Sequence, residues 1–362
     1  MRKTLSGLAA AGLLLSLAAC GGDSDNTGVK ANMGATVGIS MPTKVSTRWV
    51  ADGDNMVNQF TAMGYKVQLE YADNKVDAQV AQVQKMVDHG DKLLVISAVD
   101  GASMTDVLSK AAKKDVKVIA YDRLLTKTPD VDYQATFDNH KVGVMQGQLL
   151  LDRLGLSQGA KGPFNIELFA GSKTDANALS FYQGSMEVLQ PYLDSGKLIV
   201  RSGQTEFDPV TTDKYDAGVA QARMKRLLKT YYQTERLDAV LSPYDGMTIG
   251  IIKGLTAGGY GTKAKPLPIT SGQDAELASM KSILRGQQTA TIYKDTRELA
   301  KVAVQMGNAL LTGSKPIVND TTSFDNGVKK VPTYLLYPVA VDKTNYETLL
   351  VDGGYYTKAQ LG

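Results

Sequence analysis

Between Ala35 and Leu311, short apolar runs alternate with stretches of helical period, and the loops joining them are short. Ala35–Ser40, Lys66–Ala72, Lys92–Ser97 and Val116–Ala120 read as strands; the last two are near-continuous apolar runs, as in strands buried on both faces. The segments from Thr47 through Val57, Phe60 and Met63, from Asp77 to His89 and from Met104 to Lys114 read as helices. Thr47 and Asp77 are the expected N-caps, and Gly90 is a stop. After a strand at Tyr133–Phe137 and a helix at His140–Leu154, the alternation restarts. Strands are expected at Phe164–Phe169, Leu198–Arg201, Ala239–Leu241, Leu267–Thr270 and Thr289–Tyr293, and a single late one at Thr333–Val341. Helices are expected at Asn177–Leu189, Tyr215–Tyr231, Gly246–Ala257, Ala275–Leu284 and Arg297–Leu311. Such alternation dictates parallel sheets with helices on both faces. The expected fold class is therefore α/β, with two similar doubly wound lobes whose facing strand ends enclose a cleft.

The N-terminal residues do not belong to that pattern. Arg2 and Lys3 precede an apolar run, Leu5–Ala19, that is too short to span a bilayer and has the form of a secretory signal. It ends in Leu17-Ala18-Ala19-Cys20, which looks like the lipobox of bacterial lipoproteins, so lipidation of Cys20 and anchoring to a membrane are expected. Cys20 is the sole cysteine and only His89 and His140 stand beside it, a poor set for thiol catalysis or a metal centre. Residues 21–34, rich in Gly, Asp, Asn and Ser, read as a flexible tether. The formal charge of +3 falls almost to neutrality once Arg2 and Lys3 are removed, and no basic block exists, so no nucleic-acid partner is expected.

Function is most legible at strand ends. Val116–Arg123 (VKVIAYDR) delivers Asp122 and Arg123 to the C-terminal end of a buried strand, where open α/β sheets place ligands. Asp supplies acceptors and Arg a planar fork of donors, which together suit a neutral ligand carrying clustered hydroxyls. Other strand-end loops repeat this chemistry: Lys44, Arg48 and Trp49; Asp138 and Asn139; Asp175 and Asn177; Asp208 to Tyr215; Tyr244 and Asp245; Gln273 and Asp274; Tyr293 and Lys294. Trp49 and Tyr215 are candidates to pack on the apolar face of a sugar ring. Simpler roles compete: Asp245 and Asp274 as helix N-caps, Trp49 as core, Asp122 with Asp274 as a glycosidase pair.

At this point the chain resembles the type I periplasmic binding proteins for monosaccharides, and more narrowly the xylose-binding and multiple-sugar-binding branch that feeds ABC importers. The resemblance rests on STRW at Ser46–Trp49, AYDR at Ala120–Arg123, FDN at Phe137–Asn139 and GPFNIELFAGS at Gly162–Ser172. It continues with SPYDG at Ser242–Gly246, SGQDAE at Ser271–Glu276, TIYKDTRELA at Thr291–Ala300 and VDGGYY at Val351–Tyr356. It implies a non-enzymatic, cofactor-free, monomeric protein that binds an aldose and docks on an ABC permease and its ATPase. A nucleoside-binding lipoprotein and a sugar chemosensing component are the alternatives. It implies lobes of 35–138 plus 295–336 and 139–294 plus 337–362, joined by a three-strand hinge near Phe137–Asn139, Tyr293–Asp295 and Leu336–Pro338. Ligand contacts would come from Arg48, Trp49, Asp122 and Arg123, from Asp138 and Asn139 at the first crossover, and from Asn177, Tyr215, Asp245, Asp274 and Lys294. Tyr215 stands where Trp is expected, and Lys173-Thr174-Asp175 where Asp and Asn are commoner; both bear on which ligand is bound.

Overall fold

The computed structural model describes residues 34–362; the signal-like segment, Cys20 and nearly all of the tether lie outside the described residues. The first lobe opens with β1 (Thr36–Met41), α1 (Thr47–Ala62), β2 (Lys66–Tyr71), α2 (Val76–His89), β3 (Leu93–Ile96), α3 (Thr105–Lys113), β4 (Lys117–Tyr121) and β5 (Tyr133–Phe137). The second lobe contains α4 (Asn139–Arg153), β6 (Phe164–Leu168), α5 (Ala176–Asp194), β7 (Leu198–Ile199), α6 (Phe207–Val210), α7 (Ala217–Tyr231) and β8 (Ala239–Leu241). It continues through α8 (Asp245–Ala257), β9 (Ile269–Thr270), α9 (Leu277–Leu284) and β10 (Thr291–Tyr293). The chain then returns with α10 (Thr296–Leu311) and β11 (Thr333–Leu336) and crosses again to β12 (Val339–Val341), a π-helical turn at Glu347–Asp352 and α11 (Lys358–Leu361).

The first sheet has the order β11-β5-β4-β3-β1-β2, every pair parallel. Alternate strand residues feed two separate cores. Ile39, Leu93, Val95, Ile119 and Tyr121 pack with Phe60 of α1 and Leu299 and Ala303 of α10, while Leu94, Ile96, Val118 and Ala120 pack with Val83 of α2 and Leu108 of α3. This is the period-2 alternation of a strand read on two buried faces. Full burial of a side chain such as Phe60 contributes about 1.5–3 kcal/mol. The second sheet, β7-β6-β8-β9, is parallel and likewise covered on both sides. β10 is bridged to it between Gln273 and Ile292 and pairs antiparallel with β12.

The expected late strand Thr333–Val341 is two strands. β11 pairs with β5 in the first lobe and β12 with β10 in the second, because Tyr337-Pro338 interrupts the ladder and proline lacks the amide proton a continuing strand needs. Helix starts also differ from expectation. Ser46, not Thr47, occupies the N-cap position of α1, and Lys75, not Asp77, that of α2; neither uses its side chain as a cap.

In the second lobe α4 and α5 meet backbone to backbone at Gly143 and Gly184. A Cβ on Gly143 would fall 1.9 Å from the Phe181 carbonyl oxygen, and one on Gly184 2.1 Å from that of His140. Gly143→Ala is therefore expected to pry the helices apart and cost roughly 1–3 kcal/mol, as over-packing does. A thermal melt equal to that of the unaltered protein would show that the helices separate without cost.

Candidate functional site

The C-terminal strand ends of both sheets face one cavity of about 420 Å³, within the range of small-ligand pockets. The first lobe contributes Ser46, Arg48 and Trp49 from the loop after β1 and the first turn of α1, with Asp122 and Arg123 from the end of β4. The second contributes Asp175 and Asn177, then Tyr215, Tyr244, Gln273, Asp274, Glu276 and Lys294. Asp122, Tyr215 and Asp274 have φ of 60°, 56° and 90°, left-handed conformations that such residues adopt at some cost and that cluster at functional sites.

Arg48 is the centre of the electrostatics. Its Nε donates to Asp52 Oδ2 at 3.1 Å, its Nη1 to Asp274 Oδ1 at 3.3 Å, and its Nη2 to Asp122. Lys294, 1% exposed, brings a second cation to the same pair of carboxylates, with Nζ 3.3 Å from Asp274 and 3.7 Å from Asp122. The Asn177 amide donates to the main-chain oxygen of Asp122 at 3.2 Å and to its Oδ1 at 3.3 Å. Arg123 donates to the Ala98 carbonyl at 3.0 Å and forms an ion pair with Asp175 at 3.4 Å. Burial works to raise the Asp122 carboxyl, but Arg48, Lys294 and Arg123 outweigh it and hold it at about 2. Asp52 goes the other way: burial pushes it up to about 7 against the pull of Arg48 and the Tyr121 hydroxyl.

Aromatic rings flank this polar centre. The Arg48 guanidinium lies 4.4 Å from the centroid of the Trp49 ring and that of Arg123 5.3 Å. Tyr215 donates to Asp175 at 2.8 Å and meets Tyr244 edge to face at 6.0 Å. Gly171 makes room for it, since a Cβ there would lie 2.2 Å from the Tyr215 ring. Charged acceptors, charged donors and an amide around a cavity edged by aromatic rings can hold a neutral polyol with charge-assisted hydrogen bonds and cover its C–H face. Among the described residues no group of three or more His, Cys, Asp or Glu is arranged to hold a metal ion.

Of the residues singled out in the sequence, Arg48, Trp49, Asp122, Arg123, Asn177, Tyr215, Asp274 and Lys294 meet in this cavity. Asp138, Asn139 and Asp245 do not line it. Asp138 caps α4 by accepting from the Lys141 amide at 2.8 Å, and Asn139 donates to Thr136 Oγ1 at 3.3 Å; both border a separate groove beside Phe324 and Leu179. Asp245 is fully buried behind the cavity and sits inside α8 rather than capping it. It accepts from the Glu276 amide (2.9 Å), Gln288 Nε2 (2.9 Å) and Thr291 Oγ1 (3.0 Å), so it braces the loop that carries Asp274. Burial, aided by the charge of Glu276, holds its carboxyl well above the usual range. Lys44 is exposed, its ammonium 4.9 Å from the Tyr71 ring. Asp274 does not cap α9, whose N-cap position is Glu276.

Tyr244, named among the strand-end residues, also lines the cavity, whereas sequence reasoning passed over Glu276, which lines it too, and Asp52, which lies behind it. Asp52 had a readable signal, since it stands four residues after Arg48 on one helix face. Glu276 accepts from Ser46 Oγ of the opposite lobe at 2.6 Å and from the Tyr244 hydroxyl at 2.8 Å, pairings between segments remote in the chain.

Residues 37–315 match the family described as periplasmic binding protein domain. The chain belongs to that family. Within it, the chain is 58% identical over 326 residues to the multiple sugar-binding periplasmic receptor of Rhizobium radiobacter, covering 90% of this chain and 92% of that protein. It is 33% identical over 325 residues to the D-xylose-binding periplasmic protein of Escherichia coli K12, covering 90% and 92%. The crystal structure of an ABC transporter solute binding protein from Clostridium phytofermentans with bound β-D-glucose superposes with a TM-score of 0.87 at 46% identity, covering 90% of this chain and all of that one. These relatives place the chain in the xylose and multiple-monosaccharide branch of type I periplasmic binding proteins, whose two-lobed architecture it shares.

Proposed function

We propose that this protein is an extracytoplasmic, lipid-anchored monosaccharide-binding protein that delivers an aldose of the xylose, glucose, galactose or arabinose class to an ABC permease and its ATPase. The observation that carries the reading is the convergence, from both lobes, of Arg48, Asp122, Asp274 and Lys294 beside Trp49 in one cavity. Each sugar hydroxyl can donate to a carboxylate and accept from Arg, Lys or Asn. Arg48, Trp49, Asp122 and Arg123 would hold the ligand from one lobe, and Asn177, Tyr215, Asp274 and Lys294 from the other. The names of the relatives and the β-D-glucose in one neighbouring structure support a monosaccharide. Leu17-Ala18-Ala19-Cys20 supports the anchor.

The lobes are residues 35–138 plus 295–336 and 139–294 plus 337–362, and the hinge runs through 137–139, 293–295 and 336–338. A ligand touched by both lobes binds the closed form more tightly than the open one, and that difference shifts the population towards closure. The test is titration calorimetry of the purified protein with D-xylose, D-glucose, D-galactose, L-arabinose, D-ribose and adenosine. Trp49, the only tryptophan, gives a parallel reading through its emission. One or more aldopyranoses should bind and shift that emission. A response to adenosine alone would move the protein to the nucleoside binders.

A further inference from the structure

Arg48 is gripped from behind by a carboxylate outside the lining of the cavity. Asp52 lies one helical turn along α1 with no exposed surface; its Oδ2 takes the Arg48 Nε–H at 3.1 Å and its Oδ1 accepts the Tyr121 hydroxyl. We infer that Asp52 is a positioning residue for ligand binding, which orients the Arg48 guanidinium so that both terminal nitrogens face the cleft. The inference rests on the sugar-binding reading of that cleft.

The geometry supports it in three ways. A guanidinium is a rigid fork, so anchoring Nε leaves the Nη edge a single direction; that edge points to Asp122 and Asp274. Tyr121 precedes Asp122 in the chain, so the path Arg48–Asp52–Tyr121 ties the start of α1 to the strand end that carries Asp122 and sets the spacing between the two cleft residues. The plane held this way also lies against Trp49, so the same anchor sets the arginine against the aromatic wall. A strut that only joined helix to strand would be served as well by an apolar pair, since a buried ion pair is a weak source of stability.

Titration of the protein and its variants with D-glucose and D-xylose, alongside thermal melts, separates the possibilities. Asp52→Ala should weaken binding roughly 10- to 100-fold, the scale on which supporting residues act on a site they do not touch. Asp52→Asn should stay within roughly 5-fold, because its amide can accept from Arg48 Nε and donate to the Tyr121 oxygen. In an Arg48→Ala background Asp52→Ala should add no further loss, the mark of a residue acting through its partner. Unchanged affinity with a lowered melting temperature in Asp52→Ala, or an equal loss in both backgrounds, would overturn the inference. Should Asp52→Ala not fold, Tyr121→Phe frees one Asp52 oxygen while keeping the core filled, and its loss should vanish in the same background. If the unaltered protein binds neither sugar nor any other aldose, it is the sugar-binding reading that fails.

Discussion

Asp122→Ala is expected to weaken aldose binding roughly 100- to 1000-fold in titration calorimetry, the largest loss from any single change in the cleft. Asp122 accepts from Arg48 and from Asn177, lies 3.7 Å from Lys294 and is nearly free of solvent. Removing one member of a buried ionic set costs about 3–5 kcal/mol, because its partners stay buried and uncompensated, and each 1.4 kcal/mol is about a decade of affinity. The loss should fall on the complex more than on the fold, since the closed site requires Arg48 and Lys294 to sit together. Part of the effect on the melt will be conformational: with φ at 60°, Asp122 holds a backbone state that Asn tolerates better than Ala. Asp122→Asn should therefore melt close to the unaltered protein and still bind weakly. Unaltered affinity in Asp122→Ala would remove the residue from the site.

Lys294→Met is the second large effect, and its signature is pH. Lys294 is almost completely buried between two carboxylates and faces the rings of Phe137 and Phe181 at 5.8 and 5.7 Å. Its removal leaves three carboxylates, those of Asp52, Asp122 and Asp274, around Arg48, and should cost about 3–5 kcal/mol at neutral pH. In the unaltered protein the folded-state value of Asp122 lies below that of the unfolded chain. Its stabilisation is therefore full above pH ~4 and lost as pH falls from ~4 to ~2. Without Lys294 that carboxyl rises towards its unfolded-state value, so the variant has less of this stabilisation to lose, and the unaltered protein sheds its advantage as pH falls. The gap between the two melting temperatures should be widest near pH 7 and narrow towards pH 3. A gap independent of pH would mean that Lys294 acts through packing alone.

Much of the fold was readable because its signals are local. Near-continuous apolar runs marked β3 and β4, and helical spacing marked α2 through Val83, Met86 and Val87, all buried in the structure. Element ends were less readable. The hydroxyl of Ser46 reaches across the cleft to Glu276 instead of capping α1, so local capping chemistry lost to a tertiary partner. The late strand looked continuous because Tyr337-Pro338 interrupts it for only two residues, and its apolar character resumes in the other lobe.

The sequence alone determined the parallel α/β plan and most of the residues that reach strand ends, because periods of two and 3.6 residues and strand–helix order are properties of short stretches. It also placed Arg48, Trp49, Asp122 and Arg123 as candidates, since each stands directly after a strand or in the first turn of a helix. Tertiary structure decided which strand-end residues face inwards. Asp245 and Asp274 each follow a strand of the second lobe by four residues, yet one braces from behind and the other joins the cleft; Asp138 spends its carboxyl on the amide of its own helix. It also decided the pairing of charges: Arg48 meets Asp274 across 226 positions of sequence, and no local pattern encodes a contact of that span. The physical reason is range. Backbone preference acts over a few residues, whereas a buried ion pair depends on where two whole lobes bring their loops together.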